Sequence, residues 1–568
     1  MNDIRRTILW VIFGFSMVLL WDQWQVHNGH KPTFFPKPEQ KQEVAAAPAA
    51  TDTGVPATSA SATTSVPGAG AAPAAAPQPR QTVEVQTDVL KLRFDSEGAS
   101  ITRAELLKHH DEHKPGQNVV LFDESSERVY QAQSGLIGPV GIQWPTHKTA
   151  MTVRAGARSL KDGENELQVV FESAAQDGVK LVKTYTLKRG AYDIAVRHDI
   201  VNTSAQTVAP QLYVQLVRDG NKPAGESSFY STFTGPAVYT EGQKYQKVEF
   251  EKIKKKSAEY EKTSNGGYVA MVQHYFASAW LLADGTQRNI ALDAVDIGAR
   301  TPDCCYRATM IAAPEAIAPG QTRAVNATLY VGPQEEKKLE ALYPGLELVK
   351  DYGWLTILAK PLFWLLDKLY SFFGNWGWSI VMLVVLLKAA FYWLNAQAYR
   401  SMAKMKAINP RIMEMRARLK DNPQQMQMEM MKIYREEKVN PMGGCFPMLI
   451  QIPVFIALYW VLLSSVEMRY APWIGWIADL SAPDPYFILP IVMTLTTLLQ
   501  TALNPAPPDP MQAKMMWLMP LVFSVMFFFF PAGLVLYWIT NNVLSIAQQW
   551  IINTRMGVPP QFNLPKFK

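Results

Sequence analysis

Four apolar stretches of the C-terminal half, 446–466, 486–503, 515–530 and 534–552, contain no aspartate or glutamate. That absence excludes the intramembrane carboxylate relays on which many pumps run. Cysteine is scarce too, with Cys304, Cys305 and Cys445 alone in 568 residues. Neighbouring cysteines rarely reach disulfide geometry, so no disulfide framework is expected. Cys445 reads as a small apolar residue at a helix start. No nucleotide-binding motif is present, which removes a nucleotide-driven step. Nor is there an internal repeat of the kind that builds many transporters. Residues 81–350 hold no recognisable carboxylate pair or nucleophile set, so no catalytic residue, metal or cofactor is expected. The net charge of +6 is modest and does not point to DNA.

What is present divides the chain. Hydrophobic residues make up 48% and mean hydropathy is near zero, but the average hides a split near residue 350, soluble in character before it and membrane-like after. Arg5 and Arg6 precede the apolar run 8–21. A secretory signal would end in a small-x-small cleavage site. Here the run ends in Trp21-Asp22-Gln23-Trp24, and tryptophans at that level fit an interfacial belt. Residues 1–27 therefore read as an uncleaved anchor with its N-terminus in the cytoplasm. Residues 28–80, rich in Ala, Pro, Thr and Ser, cannot build a core and read as a disordered tether.

Residues 81–350 alternate with period two. Leu90, Leu92 and Phe94 share one parity, as do Leu181, Tyr185 and Leu187, and then Tyr192, Ile194, Val196 and Ile200. Turns at Gly98 and at Lys188-Arg189-Gly190 break the runs. The pattern predicts a large all-β sandwich. The run Lys252-Ile253-Lys254-Lys255-Lys256 reads as a solvated face rather than a docking patch. Sandwiches of this size often bind sugars, but the clustered carboxylates and aromatics that would argue for it are not evident, and fold alone does not license it. Residues 351–374 read as an amphipathic helix lying in the outer membrane interface. Leu358, Leu362, Leu365, Leu366, Leu369 and Phe373 fall on one side, with Lys360, Asp367, Lys368 and Ser371 on the other.

Five apolar spans follow in 375–553, which with the anchor make a six-helix polytopic membrane protein. Residues 400–438 carry ten bases against five acids, so this segment reads as cytoplasmic and the β domain as lying outside. Both termini, including the short basic tail 554–568, then lie inside. The span 515–530 falls short of the ~20 residues of a full crossing and favours a thinned bilayer. Between 401 and 440 a helical hairpin is predicted. Asn409-Pro410 would start its first helix, Asp421-Asn422-Pro423 would turn the chain, and Asn440-Pro441 would end the second. Ile412, Met415 and Leu419 would face Met426, Met430 and Ile433, leaving Met413 and Met428 off the seam and exposed.

Lys388 sits in the apolar run WSIVMLVVLLKAAFYWL, residues 378–394, taken as one helix. A charge at the bilayer centre costs roughly 2.5–3.5 kcal/mol on insertion scales. With no acid in the later spans to pair with it, its expected partner is water, a lipid headgroup or a passing substrate. Thr494, Thr496, Thr497, Gln500, Asn541 and Asn542 are polar positions on membrane helices. Each alone is more often a helix–helix hydrogen bond; together with Lys388 they are expected to line a hydrophilic groove.

The stretches NWGWSIVMLVVLLK, SMAKMKAINPRI, EKVNPMGGCFPMLIQIPVFIALYW, DPMQAKMMWLMP and FPAGLVLYWITNNVLSIAQQ closely resemble the YidC family of bacterial membrane-protein insertases, densely over 354–553 and more loosely before it. The resemblance implies an insertase and folding chaperone of the bacterial inner membrane, with a groove in the inner leaflet closed toward the outside. It implies nascent membrane proteins as substrates, the lipid bilayer as surroundings, and the Sec translocon, the ribosome and the signal-recognition-particle receptor as partners. Relatives usually carry Arg at the position of Lys388; Lys keeps the charge but loses the planar donor fork. Relatives often have Pro where Trp393 stands, so the helix below Lys388 is expected to be less bent. Substrate contacts carried over from the family fall at Val384, Tyr537 and Trp538, the first apolar here. A secondary transporter or channel using Lys388 as its charged site is the alternative, and an anchored sugar-binding or hydrolytic enzyme is a third reading.

Overall fold

Strand formation follows the alternation closely. In Val179–Lys188, the residues Val179, Leu181, Tyr185 and Leu187 are buried and their neighbours are partly exposed. The strands form two antiparallel nine-stranded sheets. The first runs from Thr82–Gln86 at one edge to Thr263–Ser264 at the other, and the second from Lys244–Lys247 to Met151–Val153. The sheets meet face to face over a core that includes Phe94, Phe171 and Tyr185, whose rings lie within 6.0 Å of one another. Polar bonds cross between them as well: Trp280 Nε1 donates to Gln215 O at 3.0 Å, and Tyr130 OH lies 2.6 Å from Ser278 Oγ. Gly98 has φ of +67°, and a Cβ there would collide with the His147 backbone, so the predicted turn requires glycine.

The computed structural model describes residues 80–568, apart from 113, 115, 224–231, 297–303, 420–421, 438–445, 505–509, 556, 558–561 and 563–568. The predicted anchor, the tether up to residue 79, Cys445 and the Asn440-Pro441 stop lie outside the described residues. Cys304 and Cys305 stand just before strand Tyr306–Ala312, and Cys305 is buried with Val129, Val217 and Val295.

Helix α1 (Phe250–Lys254) takes up part of the lysine run; Ile253 is buried and the lysines are exposed. Helix α2 (Glu336–Leu342) follows the last strand. The helical region comprises α3 (Thr356–Phe373), α4 (Trp376–Ala390), α5 (Tyr392–Arg418), α6 (Pro423–Glu436), α7 (Phe446–Ser464), α8 (Ile488–Leu503), α9 (Pro510–Phe527) and α10 (Ala532–Arg555). Among the described residues no single helix is long and apolar enough to cross a membrane; α4 and α5 meet those requirements together but are bent by 69°. On α3, Ala359, Phe363 and Leu366 pack inward, while Ile357, Trp364 and Phe372 are exposed.

The hairpin differs from its prediction at one point. Asn409-Pro410 does not start a helix: α5 continues through Pro410 to Arg418. Proline removes one backbone bond, and Ile408 and Ile412, buried on either side of it with Met415 and Ile433, hold the helix together. Asn422 does cap α6, accepting Gln425 N–H at 3.2 Å. Leu419, Met426 and Met430 pack on that seam, whereas Met413 and Met428 are exposed.

The segment between α7 and α8 enters the sandwich. Val466 belongs to the sandwich core. Lys350, its side chain fully buried, bonds both carboxylate oxygens of Glu467 at 3.0 and 3.1 Å. Arg469 donates to Glu112 Oε1 at 2.8 Å and to His110 O at 3.1 Å, and its guanidinium lies over the rings of Tyr275 and Phe276.

Candidate functional site

Asn375 caps α4 by accepting Trp378 N–H at 3.1 Å. The helix then carries Val384 inward and Lys388 to a half-buried position one turn further on. It stops at Phe391, three residues below Lys388, and the chain resumes as α5. This corrects the reading of 378–394 as a single helix made straighter by Trp393. No proline is needed: the Phe391 N–H still bonds Leu387 O, and the break turns Asn395 inward while Tyr392 and Trp393 stay exposed.

Lys388 opens onto a cavity of about 30 Å³ whose lining includes Val384, Asn395, Gln451, Tyr537 and Asn541. Its ammonium donates to Ser545 Oγ at 2.7 Å. Ser545 Oγ donates in turn to Asn541 O at 2.6 Å, and Gln451 Nε2 donates to Asn541 Oδ1 at 2.7 Å. A chain of neutral polar groups therefore runs from α4 through α10 to α7. Among the described residues no carboxylate pairs with Lys388, and no cluster of His, Cys, Asp or Glu could hold a metal ion.

The other predicted positions lie apart from one another. Tyr537 is buried in the cavity wall, 5.9 Å from the Phe455 ring. Trp538 lies outside that lining and packs on Phe455 and Phe527. Asn542 donates to Thr497 Oγ1 at 2.9 Å and Thr496 Oγ1 at 3.2 Å, which ties α8 to α10 away from Lys388. Gln500 is half-buried with no side-chain hydrogen bond among the described residues. Of the predicted polar set, only Asn541 joins Lys388. Sequence reasoning missed Ser545, Gln451 and Asn395. Ser545 was accessible in principle, since it stands one helical turn after Asn541.

The opposite end of α4 is covered. Asn375 Nδ2 donates to Pro472 O at 3.1 Å, and the Trp473 ring lies so close to Gly377 that a Cβ there would collide with it. Ala532 N and Gly533 N donate to Ala482 O and Leu480 O at 2.8 and 2.9 Å, fastening the same segment to the start of α10.

The family model for the YidC periplasmic domain matches residues 82–365, and that for the 60Kd inner membrane protein matches 368–558. The membrane protein insertase YidC of Cupriavidus taiwanensis is 54% identical over 562 residues, covering 98% of each chain. That of Bordetella parapertussis is 53% identical over 562 residues, again with 98% of each chain covered. A solved YidC insertase, crystallised in an active form with its first transmembrane domain resolved, is 17% identical, with 83% of this chain and 92% of that one covered and a TM-score of 0.37. Matched across both halves and along nearly its whole length, the chain belongs to the YidC family of membrane-protein insertases.

Proposed function

We propose that this protein inserts the helices of nascent membrane proteins into the bacterial inner membrane through the cavity beside Lys388. The observation that carries the reading is the solitary ammonium in a cavity whose polar partners, Ser545, Asn541 and Gln451, are all neutral. A pair with a carboxylate would cancel the charge; neutral partners orient it and leave it to act on what enters. A substrate brings an apolar helix and a short polar tail. Lys388 offsets part of the desolvation cost of an acidic or polar tail, and the tail's path across hydrocarbon is shortened by the depth of the cavity. Val384 and Tyr537 would meet the apolar helix, with Trp538 and its ring cluster beside the exit. The driving free energy comes from partitioning of that helix into lipid and from the membrane potential, roughly 2.3 kcal/mol per charge per 100 mV. No bond is made or broken.

In this reading the chain has six spans with both termini cytoplasmic and the sandwich outside. The segment 471–484 closes the outer end, and the α5–α6 hairpin faces the ribosome or the signal-recognition-particle receptor with Met413 and Met428. The protein acts alone or beside the Sec translocon and folds what it inserts. Thr497 and Asn542 serve helix packing more than the groove. The decisive experiment uses liposomes that hold this protein alone. Insertion of a small two-span substrate supports the proposal; ion flux without insertion would favour the transporter or channel reading instead.

A further inference from the structure

The outer face of the first sheet is polar yet sheltered. Gln131 and Gln133 on strand Val129–Ile137 share that face with Gln215 on Gln211–Arg218 and with Arg307 and Thr309 on Tyr306–Ala312; the register sets Gln215 opposite both Gln133 and Thr309. Their alternate neighbours Ala132, Leu216 and Ala308 point into the sandwich core. An outward polar face is ordinarily solvated, but these five residues are 0–9% exposed. All but Thr309 line an open cleft of about 210 Å³.

Gln215 Nε2 donates to Gln133 Oε1 at 2.7 Å. Gln131 is more than nine-tenths buried and has no side-chain hydrogen bond among the described residues. Its amide faces the cleft, where a ligand hydroxyl would bond it. Asp95, Glu97 and Glu124 balance Arg80, Lys148 and Arg307 in the lining, while burial holds the His147 imidazole neutral, its pKa pushed down to about 3. The lining thus favours no net charge. Among the described residues Val217 and Val295 are its only aliphatic side chains, and none is Phe, Tyr or Trp, so they offer a peptide no apolar anchor. Planar groups with paired donors or acceptors, which dominate this lining, match the spacing of vicinal hydroxyls. We propose that this cleft is a saccharide-binding site for a neutral sugar of one or two rings. The fold gathers carboxylates that are scattered in the sequence and supplies amides in place of aromatic platforms. Without stacking the affinity belongs in the millimolar range.

The test is saturation-transfer NMR on the full chain in nanodiscs, with maltose, lactose and diacetylchitobiose as probes. At least one binds, and Gln131→Leu, which removes the amide at similar volume, weakens it about tenfold. Glu124→Ala alters only an exposed rim residue and weakens binding several-fold even where the first variant folds poorly. Absence of binding by all three sugars overturns the proposal, as does binding unchanged in Glu124→Ala and in a Gln131→Leu that melts like the parent. Displacement of a bound sugar by none of the others but by a hydrophilic peptide of mixed sequence also overturns it.

Discussion

The Lys388 ammonium rests 2.7 Å from the hydroxyl of Ser545, on a helix 157 residues further along the chain. That hydroxyl is itself committed as a donor to Asn541 O, so it can only accept from Lys388. The bond fixes the position of the charge without reducing it.

On the proposed function, charge sign at position 388 decides activity. Lys388→Arg retains insertion of substrates with charged translocated tails, because the charge stays. Lys388→Glu slows their insertion about tenfold or more, corresponding to roughly 1.4 kcal/mol or more. Protease-protection assays on reconstituted protein measure this, and normal insertion by Lys388→Glu would sink the groove-charge reading.

Ser545→Ala removes the acceptor but not the charge. Insertion changes by no more than a few-fold, in line with about 1 kcal/mol for one hydrogen bond. A loss as large as that of Lys388→Glu would instead make the hydroxyl indispensable.

The hairpin is separable from the rest. Deleting residues 412–439 impairs recruitment or regulation more than the folding of α4, α7, α8 and α10, whose packing does not use Ile412, Met415 or Ile433. Thermal melting of the deletion variant beside a ribosome-dependent insertion assay separates the two effects. A collapse in melting temperature contradicts the prediction.

Acid weakens the sandwich. Burial holds His147 and His198 down to about 3, whereas an unfolded histidine titrates near 6.5. Between those values the unfolded chain binds more protons, so stability falls as pH drops, by up to about 1.4 kcal/mol per pH unit for each histidine. Lys183, buried between Gly98 O and Ser134 O and held down to about 7, adds a cost that grows from pH 10.5 to 7 and is complete below it. Hydrogen exchange in strands Val179–Lys188 and Asp193–Asn202 reports the slope; flat protection from pH 6.5 to 4 would contradict it.

The junction has its own test. Lys350→Ala leaves Glu467 partly buried and unpaired, and costs up to about 3 kcal/mol. The Lys350→Ala, Glu467→Ala double variant recovers part of that loss in a denaturation cycle. Strict additivity of the two single losses would show that the pair does not interact.

Much of this molecule was legible in the sequence because it rests on local periodicity. Alternation around Leu181 and Ile194 gave strands, the turn read at Asp421-Asn422-Pro423 placed the start of the second hairpin helix, and spacing gave the Met415–Met430 seam. The break at Phe391 was not legible, since the aromatic run 391–393 fits a straight helix as well as a bent one and only the inward turn of Asn395 decides it. Pro410 misled because neighbouring burial outweighed its lost bond. Lys183 and His198 sit at inward parity in strands, yet parity alone says nothing of the carbonyls and the Ser134 hydroxyl that receive them. The site was half legible: composition singled out Lys388, but Ser545 and Gln451 come from distant helices whose rotation no one-dimensional pattern fixes.

Arg469 has a mechanical consequence. Gripped by Glu112 and His110 and roofed by Tyr275 and Phe276, it makes a stiff β scaffold the backstop for the loop that covers the far end of α4. On the proposed function, deformation by a passing helix would then fall to the other extremity, where the chain breaks at Phe391 beneath the charge.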